Sequence, residues 1–290
     1  MAYPTVSAPY GLKPVNLIGG RVYAGSTRMF PILNGYYNSL YNGDVVQLGT
    51  GTAVGTLVAS TLAPTTANGG TAGTIGVFVG AEYSSTGGPI YGKNRYQYWN
   101  GGTSATDAIG YVVDDPQAVF QTVVLGQGSN STTIQYINPA FIGSNAYYLG
   151  AVNSNAGSTT TGDSYAGIAI ATTAIGTGVA SPLTTTAPFR IVQLVTASAV
   201  TVTGAGTTSS TTLTLSAANT AIQPGMAVSG PGITAGSNTW VTSVNGTTVT
   251  LNQAVATAQS SAVQFSFTGY PEALVTWNFG YHSYFNATGV

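Results

Sequence analysis

The chain has 290 residues, of which only 4% are charged, against about 25% in typical globular domains, and its formal net charge is −1. Its six cations are scattered, so the sequence lacks the basic cluster that binding to nucleic-acid phosphates requires. No stretch is apolar enough to span a bilayer, the first residues lack the pattern of a secretory signal, and the absence of Cys excludes disulfides. Hydrophobic residues nevertheless make up 43%, which predicts a folded chain rather than a disordered one.

Strand signals recur along the chain, and helix signals are rare. Short runs of β-branched and aromatic residues, several alternating with polar residues, are bounded by Gly, Asn and Pro. The clearest predicted strands are 44–48, 75–79, 110–113, 118–124, 189–195 and 273–279. At most one or two short helices are expected. The sequence therefore predicts an all-β fold, with an antiparallel β-barrel or sandwich as its main domain.

The segment from Ile191 to Pro271 contains no charged residue. Within it, strand patterns at 211–215, 222–228, 241–251 and 263–267 lie close together, and Asn245-Gly246 predicts a type I′ hairpin turn. This density of short strands predicts a small Ig-like β-sandwich inserted at residues 198–268. The main domain then comprises residues 1–197 and 269–290, with an extended, proline-containing N-terminal arm over about residues 1–14 that could add a strand to a neighbour.

Catalytic chemistry has little support in the sequence. His282 is the only histidine, no Gly-x-Ser-x-Gly elbow accompanies it, and its aromatic neighbours predict a packed or interfacial side chain. The acidic residues are dispersed, so no pair suited to acid–base hydrolysis is apparent. These acids are Asp44, Glu82, Asp107, Asp114, Asp115, Asp163 and Glu272. We therefore predict no catalytic, cofactor-binding or metal-binding residues, no cofactor, and a protein that is not an enzyme.

Two local motifs have non-catalytic interpretations that we favour. Asp114-Asp115-Pro116 predicts a turn, because Asp accepts hydrogen bonds from nearby amides and Pro fixes φ, with a weak Ca²⁺ site as the alternative. Residues 49–55 faintly resemble a phosphate-binding loop, but no Lys follows and no helix begins, so a hairpin loop is predicted. The sequons at Asn130 and Asn286 are interpreted as chance matches.

Tyrosine is abundant, with 18 residues, several of them clustered in sequence. Tyr provides a large contact area and a polar tip, which suits interfaces, and cross-strand Tyr pairs also stabilise sheets. The clusters involve Tyr36, Tyr37, Tyr41, Tyr91, Tyr96, Tyr98, Tyr147 and Tyr148. We expect at least one of them to take part in an interface.

Several short motifs, in order and spacing, resemble structural proteins of marine and freshwater tailed phages, including cyanophages. They are residues 8–15, 19–20, 24–28, 42–46, 76–80, 111–116, 120–121, 188–192 and 277–282. The resemblance covers the main domain and is to head decoration, or cement, proteins. It implies attachment to the major capsid protein on the outer surface of the virion head, with no catalytic residues. The inserted module resembles small β-sandwich units of phage and bacterial surface proteins.

The resemblance implies a homo-oligomer, and a trimer would match the local three-fold axes of an icosahedral shell. The main domain is expected to face the capsid and the uncharged module to face outward. An adhesin or tail protein that binds host glycans through Trp240 or Tyr270 of this region is the alternative. Neither role requires nucleic acid or a membrane as a partner.

Overall fold

A computed structural model describes residues 9–60, 62, 73–84, 93–125, 139–150, 157–170, 186–195, 199–222, 224, 226–234 and 239–285. Within these ranges the regular structure consists of strands and three short 3₁₀ helices, at Gly51–Ala53, Pro139–Phe141 and Ser283–Phe285. The predicted all-β fold with antiparallel sheets is confirmed. In chain order the strands are β1 (Lys13–Leu17), β2 (Arg21–Val22), β3 (Arg28–Pro31), β4 (Val45–Leu48), β5 (Leu57–Ala59), β6 (Thr74–Tyr83), β7 (Asn94–Tyr96), β8 (Ile109–Val113), β9 (Ala118–Leu125), β10 (Asn145–Leu149), β11 (Gly167–Ala169), β12 (Phe189–Val195), β13 (Ala199–Gly206), β14 (Thr212–Leu215), β15 (Ala227–Ser229), β16 (Val241–Asn245), β17 (Thr248–Leu251), β18 (Gln259–Thr268) and β19 (Glu272–Trp277).

These strands form three sheets. The first has the order β11-β10-β12-β19-β9-β1-β2, and the second has the order β3-β8-β6-β4-β5, with β7 added to β6. A shared core lies between them, in which Phe120 and Val275 of the first sheet pack with Val45 and Val77 of the second. The second sheet also encloses its own core around Phe78 and other buried apolar side chains. The two sheets therefore form one packed body.

The third sheet has the order β15-β18-β13-β14-β17-β16 and uses only residues 199–268, with a separate core around Phe265 and Phe267. The strands on either side of it, β12 and β19, pair with each other, from Phe189 opposite Trp277 to Val195 opposite Glu272. This pairing is what the insertion hypothesis requires, and independent folding of the two parts stays a prediction. The inserted strands differ from an Ig-like sandwich in forming one sheet.

Each sheet closes on itself through a short additional pairing. One edge of β9 pairs with both β1 and β11, so the strands β9, β19, β12, β10 and β11 return to their starting point. A bridge from Ile32 to Leu57 links the ends of the second sheet, and one from Ala227 to Trp240 links those of the third. Closure removes exposed strand edges, which otherwise invite aggregation. A protein this poor in charge has few Lys residues with which to protect an edge.

Three further sequence predictions need correction. The N-terminal arm was expected to reach about residue 14, but Gly11 and Leu12 are buried and β1 starts at Lys13. The Gly11 and Leu12 amides donate to the carbonyls of Ala166 and Gly43, and β1 pairs with β9 of the first sheet; residues 1–8 lie outside the described ranges. The last predicted strand ends at Trp277 instead of Phe279, because a turn begins after Asn278, in which the Tyr281 amide donates to the Asn278 carbonyl and Gly280 has φ of +86°.

The third correction concerns the hairpin between β16 and β17. Asn245 pairs with Thr248, so the two loop residues are Gly246 and Thr247 rather than Asn245 and Gly246. Gly246 has φ of +59°, whereas neither Asn245 nor Thr247 has a positive φ. A positive φ at the first loop residue alone is typical of a type II′ turn, not of the predicted type I′ turn.

Candidate interaction surface

Aromatic side chains project from the turn that follows β19. Phe279 is 84% exposed, Tyr284 46% and Phe285 37%. The rings of Phe279 and Phe285 stack, with centroids 5.9 Å apart. We refer to these three side chains as the aromatic surface. Exposed apolar side chains are ordinary when isolated, but a contiguous aromatic group of this kind is typical of interaction sites.

The aromatic surface is anchored by polar contacts with two distant parts of the chain. The Tyr284 hydroxyl donates to Asp114 Oδ2 at 2.6 Å, and Arg28 Nε lies 2.9 Å from the same oxygen. The Arg28 guanidinium also lies 5.5 Å from the centroid of the Tyr284 ring, at cation–π distance. Burial and the hydrogen bond to Asp114 raise the pKa of Tyr284 to about 12. The turn is therefore held in place while its two Phe rings stay accessible.

His282 lies beneath this surface. It is completely buried, its ring centroid is 5.5 Å from that of Trp277, and its Nδ1 accepts a hydrogen bond from the Tyr284 amide at 3.2 Å. Burial lowers the pKa of His282 to about 4, although the backbone of Ile75 and the nearby Asp114 and Asp115 carboxylates oppose the shift. The predicted packing of His282 among aromatic rings is confirmed, and at neutral pH the ring is uncharged.

Tyr284→Phe is expected to lower the free energy of unfolding by about 1 kcal/mol, because it removes a hydrogen bond to a carboxylate at a half-exposed site. Urea denaturation measures the change. Tyr37→Phe is the matched control, since Tyr37 is 80% exposed and its hydroxyl makes no hydrogen bond with the described residues. Equal stability of the two variants would show that the contact between Tyr284 and Asp114 does not anchor the turn.

A second concentration of polar contacts joins the first two sheets. Asp44 is buried, and its carboxylate accepts hydrogen bonds from the Tyr41 amide at 2.7 Å and from the Ser164 hydroxyl at 2.5 Å. The next amide in sequence, that of Val45, donates to the Tyr148 hydroxyl at 3.1 Å. Burial raises the pKa of Asp44 to about 6, although both hydrogen bonds lower it. We refer to this contact region, completed by residues 10–13, as the junction.

The N-terminal segment crosses the junction at a glycine pair. Gly11 and Gly43 have φ of +77° and +98°, and a Cβ on either would lie within 3 Å of the other backbone. The Leu12 amide donates to the Gly43 carbonyl at 3.0 Å, and Lys13 lies 3.4 Å from the carboxylate of Asp163. The junction is therefore a packed structural contact between residues 10–13, 41–45, 148 and 163–164, which are four separate segments of the chain.

The other candidate residues do not converge on a chemical site. Asp115 accepts a hydrogen bond from the Gln117 amide at 2.8 Å, as the predicted turn requires, whereas Asp114 pairs with Arg28. Residues 49–55 lie in the loop between β4 and β5, as predicted. Among the described residues, no group of three or more His, Asp or Glu side chains could hold a metal ion. The sequons at Asn130 and Asn286 lie outside the described ranges.

Most tyrosines predicted for interfaces are not available for one. Tyr36, Tyr41, Tyr147 and Tyr148 are buried, and Tyr37 is the exposed member of its pair. Tyr96 and Tyr98 are half-buried, each stacked on another tyrosine ring, and Tyr91 lies outside the described ranges. Apart from Tyr37, the exposed large aromatics of the described residues are those around His282, where clustering in the sequence was the available signal. Burial could not be deduced from that clustering.

The glycan-binding alternative loses one of its two aromatic platforms. Tyr270 is only 7% exposed and packs against Val123, Leu125 and neighbouring apolar residues of the first sheet. Trp240 is half-buried, and its amide donates to the Asn252 side chain at 2.8 Å. A shallow groove of about 280 Å³ lies elsewhere in the third sheet. Its lining residues are Ala218, Asn219, Thr220, Ile222, Pro224, Val244 and Gly246.

Comparisons with known proteins identify no relative. The sequence matches no family model and no curated protein, and the fold matches no solved structure. Among the described residues, no helix is long and apolar enough to cross a membrane. Interpretation of function therefore depends on the protein's own chemistry.

Proposed function

We propose that this protein is a structural, non-enzymatic component of a tailed-phage virion, which binds the major capsid protein on the outside of the head and cements neighbouring capsomers. The observation that carries the proposal is the aromatic surface. Phe and Tyr side chains that are exposed on an anchored turn bury a large area at little entropic cost, which favours a protein partner. The sequence motifs that resemble decoration proteins include Phe279 of this surface and the two residues that anchor Tyr284, which are Arg28 and Asp114.

The scarcity of charge fits the same role. A decoration protein stays attached through many equivalent contacts, so avidity can compensate for modest individual interfaces. Contacts made by few charges are also little affected by salt screening. We propose a homo-oligomer, with a trimer matching three-fold positions of the shell, and an outward-facing third sheet whose surface is uncharged.

Phe279→Ser is expected to weaken binding to heads that lack this protein by about tenfold or more, because exposed aromatic anchors carry much of the energy of an interface. Phe285→Ser is expected to act in the same direction. Sedimentation of heads with bound variant measures the affinity, and Tyr37→Ser, at another exposed aromatic position, should bind as the unmodified protein does. Unchanged binding by both Phe variants would contradict this role for the aromatic surface.

An image of purified virions that resolves this protein tests the proposal directly. Hundreds of copies on the outer head surface are expected. A handful of copies at the tail would instead support the second candidate, an adhesin that binds host glycans. The groove in the third sheet is the observation that favours this candidate, since its lining combines apolar side chains with Asn219 and Thr220.

A further inference from the structure

Asn-Gly pairs are the most reactive sequences for spontaneous loss of the Asn side-chain amide, because Gly has no side chain to obstruct attack by its own backbone nitrogen. The sequence has five such pairs, and four of them lie in described residues. They begin at Asn34, Asn42, Asn100 and Asn245. The sequence alone does not distinguish them, so any difference in reactivity has to come from their structural surroundings.

Three of the four pairs are held by hydrogen bonds at the attacking nitrogen. The Gly35 amide donates to the Thr103 carbonyl at 3.2 Å, and the Gly43 amide donates to the Phe78 carbonyl at 2.8 Å. The Gly101 amide donates to the Ser39 hydroxyl at 3.0 Å. In each case the amide proton is engaged and the backbone is fixed, both of which oppose attack on the preceding side chain.

Unlike the other three pairs, the Asn-Gly pair at Asn245 has no hydrogen bond at the glycine nitrogen within the described part of the chain. Gly246 is the first residue of the exposed two-residue loop between β16 and β17, with nothing within 4 Å of a Cβ at its position. Neither its N–H nor the exposed Asn245 side chain makes a hydrogen bond with the described residues. The nucleophile and the group that it attacks are therefore adjacent, unprotected and accessible to water.

We propose that Asn245 is a site of spontaneous deamidation, with water as the co-reactant. The Gly246 nitrogen forms a bond to Asn245 Cγ, the bond between Cγ and Nδ2 breaks, and ammonia leaves with the proton that Gly246 gives up. Water then opens the cyclic imide at either carbonyl, which yields aspartate or isoaspartate at position 245. The reaction introduces the first charge into residues 191–271, and the isoaspartate product lengthens the backbone where Asn245 pairs with Thr248.

Peptide mass spectrometry of the intact, folded protein after incubation at mildly alkaline pH tests the proposal. Chymotrypsin separates the four Asn-Gly pairs, because it cleaves after Trp240 and Leu251 and after aromatic residues near the other pairs. Releasing one hydrogen bond costs about 1 kcal/mol, so the Asn245 peptide is expected to deamidate about fivefold faster or more than the other three. Comparable rates at all four sites are expected only in urea.

Asn245→Gln provides a second measurement on whole protein, with Asn34→Gln as its matched control. With Asn68→Gln present in every protein compared, so that the fifth pair cannot contribute, isoelectric focusing should show acidic species accumulating when Asn245 is intact and in Asn34→Gln, and much less in Asn245→Gln. The proposal is overturned if the Asn245 peptide of the folded protein keeps its amide. It is equally overturned if that peptide reacts no faster than the three hydrogen-bonded sites, or if Asn245→Gln accumulates acidic species at the unmodified rate.

Discussion

Gly43→Ala is expected to lower the free energy of unfolding by about 3 kcal/mol or more, which is a large share of the stability of a typical domain. Two effects combine at this position. Gly43 has φ of +98°, which an Ala residue adopts only with strain, and the new Cβ would lie 2.8 Å from Gly11 Cα and 2.9 Å from the Leu12 nitrogen. Both neighbours are backbone, so relief requires movement of the N-terminal segment away from the junction.

Gly35→Ala separates these two effects. Gly35 has φ of +71° but nothing within 4 Å of the position that a Cβ would take, so its substitution by Ala costs only the conformational strain, about 1 kcal/mol. Urea denaturation of both variants measures the difference. If Gly43→Ala is no more destabilising than Gly35→Ala, the crossing of Gly11 and Gly43 does not constrain the junction as described.

The second large effect is a pair of opposing pH dependences. The pKa of Asp44 rises from 3.8 to about 6 on folding, so the folded state holds this proton more tightly than the unfolded state does. Its contribution of about 3 kcal/mol is complete well below the unfolded pKa of 3.8 and is lost as pH rises through about 6. The pKa of His282 falls from 6.5 to about 4, so its contribution of similar size appears as pH rises over nearly the same interval.

The unmodified protein is therefore expected to show little change in stability between pH 4 and 6.5 from these two groups. Asp44→Asn keeps acceptor and donor groups for Tyr41 and Ser164, and its stability should rise by about 3 kcal/mol from pH 4 to 6.5, because His282 is then the one of these two groups that still titrates. His282→Asn keeps an acceptor for the Tyr284 amide but loses packing, and its stability should fall by about 2 kcal/mol from pH 4 to 6.

Urea denaturation at several pH values measures these slopes, and the double variant is the control. It should be less stable than the unmodified protein yet recover the flat profile, because neither group remains to titrate. A slope in Asp44→Asn that matches the unmodified protein would show that the buried carboxylate is not the source of the dependence. The comparison uses slopes, so the constant packing loss in His282→Asn does not affect it.

Much of the fold could be predicted from local sequence. Alternation located β12 over its full length, 189–195, because a strand with one buried face has a two-residue period. A run of β-branched and aromatic residues located most of β9, which is buried on both faces, and most of β8. The predicted turn type at Asn245-Gly246 was wrong, because the register between β16 and β17 decides which residues form the loop. The predicted end of β19 was wrong by two residues, because a turn from Asn278 to Tyr281, with Gly280 at φ of +86°, ends the strand although Phe279 suits a strand by type.

The candidate site was predictable only in part. The aromatic residues near His282 are visible in the sequence, but their division between buried and exposed positions depends on how the turn packs. Arg28, Asp114 and Tyr284 belong to separate segments, and Tyr284 lies 170 residues from the Asp114 side chain that it contacts. Local patterns carry no information about such a contact.

The sequence by itself determined that this protein is β-rich, nearly uncharged and free of any charge between residues 191 and 271, since these properties depend only on composition and short-range order. Only the tertiary structure decided that the sheets close on themselves, that Gly11 crosses Gly43 beside the buried Asp44, and that Phe279 and Phe285 remain exposed. These features depend on strand register and on packing between segments that are distant in the sequence. Whether two backbone segments can approach each other there is not specified by local sequence patterns. Charged side chains often protect open strand edges from aggregation. Because the sheets close on themselves, they leave few such edges, which is consistent with the scarcity of charged residues.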